Sequence, residues 1–162
     1  KYFEPHSIYS KKLALSGELI THNKDKAVLS MMKADKLIET NFFKISPDAT
    51  LGDLVKLISK SSRNIFPVVD EENNFIGIVF MDHVREIIFR PDLYETTMIS
   101  NLLFRPEVTI DIEESMEEIA RKFQSTDKYN LVVLKDGKYV GFISRARVFS
   151  VYRKMLKDFS YD

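Results

Sequence analysis

Apolar residues along this chain cluster into strand-like and helix-like runs, and each kind occurs twice in the same order. Ile65-Phe66-Pro67-Val68-Val69-Asp70 leads through the polar turn Glu71-Glu72-Asn73-Asn74 into Phe75-Ile76-Gly77-Ile78-Val79. Sixty-four residues later, Tyr129-Asn130-Leu131-Val132-Val133-Leu134 leads through Lys135-Asp136-Gly137-Lys138 into Tyr139-Val140-Gly141-Phe142-Ile143. Runs rich in β-branched residues on either side of a polar turn predict a β-hairpin in each copy. Gly77 falls on Gly141, and Val68-Val69 on Val132-Val133.

The segments ahead of the hairpins repeat as well. Thr50-Leu51-Gly52-Asp53 and Ser115-Met116-Glu117-Glu118 both carry a hydroxyl followed three residues later by a carboxylate, which predicts a helix N-terminus. Behind these caps, Leu51, Leu54, Val55 and Ile58 form a helical stripe, as do Met116, Ile119, Ala120 and Phe123. A second amphipathic helix is predicted after each hairpin, carrying Val84, Ile87 and Ile88 in one copy and Val148, Val151 and Tyr152 in the other. Each copy therefore reads strand, helix, strand, strand, helix: an α+β repeat. Neither small sheet could bury its apolar face alone, so the expected arrangement sets the two back to back.

Composition narrows the function classes. The 162 residues include 24 basic and 24 acidic side chains, which argues against a nucleic-acid binder that works by neutralising phosphates. Twelve Phe and seven Tyr supply core material and argue against disorder. The absence of cysteine excludes disulfides, thiolate zinc sites and thiol catalysis. His6 and His22 are too scattered for a metal set. The acidic cluster Glu113, Glu114, Glu117 and Glu118 falls on a predicted first helical turn, where carboxylates stabilise the dipole. Asp82 and His83 are adjacent on a predicted helix and so point apart, a poor acid–base dyad. No catalytic constellation stands out, and the expectation is a non-enzyme.

No apolar run approaches the roughly 20 residues that span a bilayer; the longest, such as Phe75–Met81, are strand-sized. The opening Lys-Tyr-Phe-Glu-Pro has no apolar signal region and no initiator methionine, so the expectation is a soluble piece of something longer.

Phe66-Pro67-Val68-Val69-Asp70 with Gly77-Ile78-Val79, behind a Thr-Leu-capped helix, resembles a CBS repeat, and the two copies together resemble a CBS pair, or Bateman module. Copy two diverges in having Leu131 where the family usually has proline. The resemblance implies two repeats packed with pseudo-two-fold symmetry, homodimerisation into a disc, and adenine nucleotides bound in clefts between repeats. The expected boundaries are a linker over 1–27, repeat one over 28–90 and repeat two over 91–162.

The stretch Pro5-His6-Ser7-Ile8-Tyr9-Ser10-Lys11-Lys12-Leu13-Ala14-Leu15-Ser16-Gly17 lies outside both repeats. It resembles the linker after the last membrane helix of prokaryotic CLC-family chloride channels and transporters, many of which end in a cytoplasmic CBS pair. That resemblance implies a short linker helix, the membrane domain of the same chain as partner, and a place on the cytoplasmic side of an inner membrane. It covers channel and exchanger alike.

In nucleotide-binding CBS pairs, the strand ending in glycine-Ile-Val runs into a Thr/Ser-x-x-Asp turn whose hydroxyl and carboxylate hold phosphate and ribose. Here Ser144 matches the hydroxyl in copy two, but Arg147 stands at the carboxylate. In copy one the two positions are Phe80 and His83, with Asp82 one residue early. Neither copy keeps the ribose clamp. The resemblance would group Ile45, Arg63, Asn64, Ile65 and Pro67 with Ser144 and Arg147 in one cleft, Arg145 and Arg147 beside Arg63 making a cationic mouth. It would group Thr109, Lys128, Tyr129 and Asn130 with Asp82 and His83 in the other. Tyr129 reads equally as a half-buried strand aromatic or as a platform for a purine. Arginines at a helix start oppose the macrodipole, which favours an external anion or a partner carboxylate.

These features imply a regulatory and dimerising module of a CLC-type protein, with ATP, ADP or AMP as possible ligand and no required cofactor. The alternatives are a purely structural dimeriser without ligand and a CBS module of another transporter or an enzyme.

Overall fold

The computed structural model describes residues 23–161, so the expected linker helix over residues 5–17 lies outside the described residues. The fold is α+β, with five α-helices and two small sheets among those residues. The chain divides into two compact units that interleave along the sequence. A central unit comprises Glu39–Thr109 with Leu134–Gly141; a terminal unit comprises residues 23–38, Ile110–Val133 and the segment from Phe142.

In the central unit, the predicted N-cap forms in full. Asp53 N–H donates to Thr50 Oγ1 at 3.2 Å, and Thr50 N–H donates to Asp53 Oδ2 at 3.0 Å. This opens α2 (Leu51–Ile58), whose Leu51 and Leu54 are fully buried. The Thr50 hydrogen bonds hold the Asp53 carboxyl below its usual range. Its contribution to stability is therefore present above the ordinary aspartate pKa and fades on acidification through the lowered folded value.

Strands β1 (Ile65–Val69) and β2 (Phe75–Phe80) pair antiparallel, with Pro67 opposite Ile78. Pro67 sits inside this ladder because its carbonyl faces away from β2: it accepts from Ile45 N–H at 3.0 Å. The missing proline N–H points the same way, so no β1–β2 hydrogen bond is lost. Ile45 also accepts from Val69 N–H at 3.0 Å. On the far side, Ile78 exchanges both main-chain bonds with Phe104, at 2.8 and 2.7 Å. The predicted first strand of copy one is thus reduced to the single bridging residue Ile45.

Gly77 is needed where it stands. A Cβ there would lie 2.8 Å from both the Phe104 carbonyl oxygen and Leu103 Cδ1. Gly77→Ala should cost about 1–3 kcal/mol by overpacking, read as a lower urea midpoint at unchanged m-value. Wild-type stability would show that Leu103–Phe104 is not seated against β2.

The helix predicted after β2 is broken. A single turn, α3 (Met81–Val84), gives way to a 3₁₀ segment over Ile87–Phe89. Arg85 and Glu86 keep helical dihedrals, but Arg90 leaves them at φ −112°, ψ 83°, as a residue ahead of proline must. Val84 and Ile88 are buried as the pattern required; Ile87 is half-buried.

In the terminal unit, α4 (Met116–Gln124) is capped by Ser115, whose Oγ accepts from Glu118 N–H at 3.2 Å. Helix α1 (Asn23–Met31) packs against α4 and α5 (Arg145–Tyr161), burying Val28 and Leu29. The start of the expected first repeat therefore packs on helices of the second. Strands β3 (Ile110–Asp111), β4 (Asn130–Lys135) and β5 (Lys138–Ser144) lie in that order. The β4–β5 turn has positive φ at Asp136 (52°) and Gly137 (78°), the two-residue turn that Asp-Gly favours.

The tip of that hairpin belongs to the central unit. Phe75 N–H donates to Gly137 O at 3.0 Å, Tyr139 N–H to Asn73 O at 3.0 Å, and Asn73 Nδ2 to Tyr139 O at 2.9 Å.

Candidate ligand-binding residues

The residues expected at the two clefts divide between the two units. In the terminal unit, Ser144 ends β5 and its Oγ accepts from Arg147 N–H at 3.0 Å. The hydroxyl thus closes the first turn of α5 and keeps its own proton to donate. The Arg147 side chain is exposed and has no ion-pair partner among the described residues.

Arg145 behaves differently. Its Nη2 donates to Phe123 O and Thr126 O, both at 2.7 Å, and to Lys128 O at 3.1 Å. Phe123 O is among the last carbonyls of α4, which have no partner inside the helix. Two neighbours are met by Ser125, whose N–H donates to Arg121 O at 3.0 Å and whose Oγ donates to Lys122 O at 2.9 Å. The guanidinium therefore caps the negative end of α4 and is committed to that role. Tyr129 is 77% exposed, not half-buried, while its carbonyl accepts from Arg145 N–H at 2.8 Å. Asn130 is half-buried at the start of β4.

In the central unit, Ile45 and Pro67 are buried in the sheet, which leaves Arg63, Asn64 and Ile65 as the accessible members of their set. Asn64 is exposed, its carbonyl accepting from Met81 N–H at 2.9 Å. The Arg63 main chain is gripped by Ser61 Oγ, which accepts from its N–H at 2.8 Å and donates to its carbonyl at 2.9 Å. Its Nη2 lies 2.5 Å from Glu39 Oε1 and 2.6 Å from Asn41 Oδ1. The guanidinium stacks 4.4 Å from the Phe42 ring centroid. Burial pushes the nearby Tyr139 phenol up, and the Arg63 charge opposes that shift.

The other central set is less suited to a nucleotide. Asp82 pairs with Arg85, and the His83 ring lies 5.2 Å from that of Phe80. Phe80, at the hydroxyl position, packs against Phe104 with centroids 5.7 Å apart. Thr109 is half-buried. No group of three or more His, Cys, Asp or Glu among the described residues could hold a metal ion. No helix among them is long and apolar enough to cross a membrane.

Sequence reasoning missed Glu39, Asn41 and Phe42. They reach Arg63 from 24, 22 and 21 residues away, across the whole of α2, and no local pattern marks such a meeting.

Repeats of this design define a known class. The CBS domain family model matches residues 34–90 and 99–154, more than half of the chain. The chain belongs to the CBS domain family and carries two such domains in tandem. It is 28% identical over 156 residues to homoserine O-acetyltransferase of Methanococcus vannielii, covering 91% of this chain and 30% of that protein. The chain thus spans about a third of the length of that relative. Among solved structures, CbpB in complex with c-di-AMP matches with a TM-score of 0.67 at 16% identity, covering 85% of this chain and 94% of that one. The CBS domain of a bacterial CNNM/CorC family Mg2+ transporter in complex with ATP gives 0.66 at 14% identity, covering 79% and 92%. At these identities the two structures establish the fold.

Proposed function

We propose that this CBS pair is the regulatory part of a larger protein and senses an adenine nucleotide chiefly through its phosphates. The observation that carries this reading is Arg147: exposed, without a carboxylate partner among the described residues, in the first turn of α5 and beside the Ser144 hydroxyl. Two similar structures, one in complex with ATP and one with c-di-AMP, support the class of ligand. Regulation then requires a ligand that binds two arrangements of the module with different affinity, since equal binding shifts nothing. For the rest of the protein we propose a CLC-type chloride channel or transporter, with the module as a homodimer on the cytoplasmic side. The residues 5–17 motif supports that finer reading. The Mg2+ transporter and acetyltransferase relatives support the broader alternative of another transporter or an enzyme.

Calorimetry on the full chain tests the ligand. Weak binding is expected, with ATP and ADP preferred over adenosine and affinity falling as salt rises, because exposed charges are screened within about 8 Å at physiological ionic strength. Arg147→Ala should weaken ATP roughly three- to tenfold and leave adenosine within about twofold. Asn64→Ala should weaken both. No heat with any adenine nucleotide at millimolar concentration would leave a structural dimeriser as the better reading. Phe80, packed where the family's hydroxyl would stand, already favours that role for one repeat.

A further inference from the structure

Arg63 carries a positive charge at a position expected to meet the ligand, yet that charge is answered from within the same unit. Glu39 Oε1 lies 2.5 Å from Nη2, and both side chains are about a quarter exposed, at 27% and 29%. Asn41 Oδ1 shares the same nitrogen at 2.6 Å, and the Phe42 ring, 4.4 Å from the guanidinium carbon, covers one face. Nη1 and Nε have no acceptor among the described residues. The guanidinium is therefore held in one plane with donors to spare, but with a carboxylate already against it. An incoming phosphate would meet the Glu39 charge as well as the Arg63 charge. A neutral group would not suffer that repulsion.

We infer that Glu39 is a specificity-determining residue, an internal carboxylate that occupies Arg63 and holds down the affinity for anionic ligands relative to neutral ones. This rests on the nucleotide-sensing reading and goes further, because it assigns the weakness of phosphate binding to one side chain. Glu39→Gln keeps the size and one acceptor but removes the charge. Arg63 then faces solvent with its charge uncompensated, and the pairing it offers a phosphate is no longer contested.

The test is calorimetry on the full 162-residue chain with ATP, inorganic tripolyphosphate and adenosine, across wild type, Glu39→Gln, Arg63→Met and the double variant. Glu39→Gln should bind ATP and tripolyphosphate about fivefold or more tightly than wild type, with adenosine unchanged within about twofold. In the Arg63→Met background the gain should vanish. Glu39→Asp, which keeps the charge on a shorter stem, should gain less than Glu39→Gln, and it carries the comparison if the glutamine variant loses its cooperative melt. Wild-type affinity for ATP in a folded Glu39→Gln overturns the inference while leaving the nucleotide reading in place. So does an equal gain in the Arg63→Met background, which would make Glu39 a source of general field only. No ATP binding by any of the four proteins removes the nucleotide reading and this inference together.

Discussion

Phe66→Ala is expected to lower the unfolding free energy by about 3–5 kcal/mol, the largest effect of any single substitution considered for this chain. Phe66, the second residue of β1, is fully buried in the cluster formed with Leu51, Leu54, Val68, Val79, Val84 and Ile99. That cluster joins the capped helix, both strands of the first hairpin and the chain returning at Ile99. Truncation removes six ring carbons from all of them at once and leaves a cavity that strands can only partly close. Domains of this size are stable by about 5–15 kcal/mol, so the variant should sit near the edge of folding at 37 °C. Chemical denaturation reads it directly. A loss below about 1 kcal/mol would mean that the core of the central unit collapses around the void or lies elsewhere.

The second large effect is expected at Arg145. Arg145→Met keeps most of the stem but strips the Phe123, Thr126 and Lys128 carbonyls of a common charged donor. Hydrogen bonds to charged groups contribute about 1.5–3 kcal/mol, and a loss of about 2–3 kcal/mol is expected here. Amide hydrogen exchange should localise it, with protection falling in the last turn of α4 and the loop before β4. Arg145→Lys should recover only part, because one ammonium cannot match the guanidinium fork. If Arg145→Met instead left stability intact and abolished ATP binding, the residue would be a ligand contact and its capping role incidental.

The elements governed by local chemistry were readable from the sequence. Thr50 with Asp53 and Ser115 with Glu118 announce their helices because cap and partner lie within one turn. The two hairpins announce themselves because β-branched runs flank residues such as Asp136-Gly137 that accept positive φ. What escaped depends on partners remote in sequence. Val28 and Leu29 read as the edge of the first repeat, although the helices that bury them begin at Met116 and Arg145. Arginine at the start of α5 did signal an unmet electrostatic need, and an external anion or a carboxylate was the natural expectation. For Arg145 the partner is instead the carbonyl end of another helix. The Arg147 side chain is exposed, whereas Arg63 finds its counter-charge in Glu39. The helix after β2 kept its burial at Val84 and Ile88 and lost its continuity after Val84.

The docking of α1 on α4 and α5 also bears on how the polypeptide emerges from a ribosome. Val28 and Leu29 leave the exit tunnel more than a hundred residues ahead of the helix α5 that completes their cover. At synthesis rates of about 5–20 residues per second, that apolar face waits roughly ten seconds for its last partner. The terminal unit can close only once α5 has been made, and the central unit lacks its hairpin tip until Gly141 has appeared. Such an order of assembly leaves the apolar face of α1 without its last cover until α5 has left the ribosome.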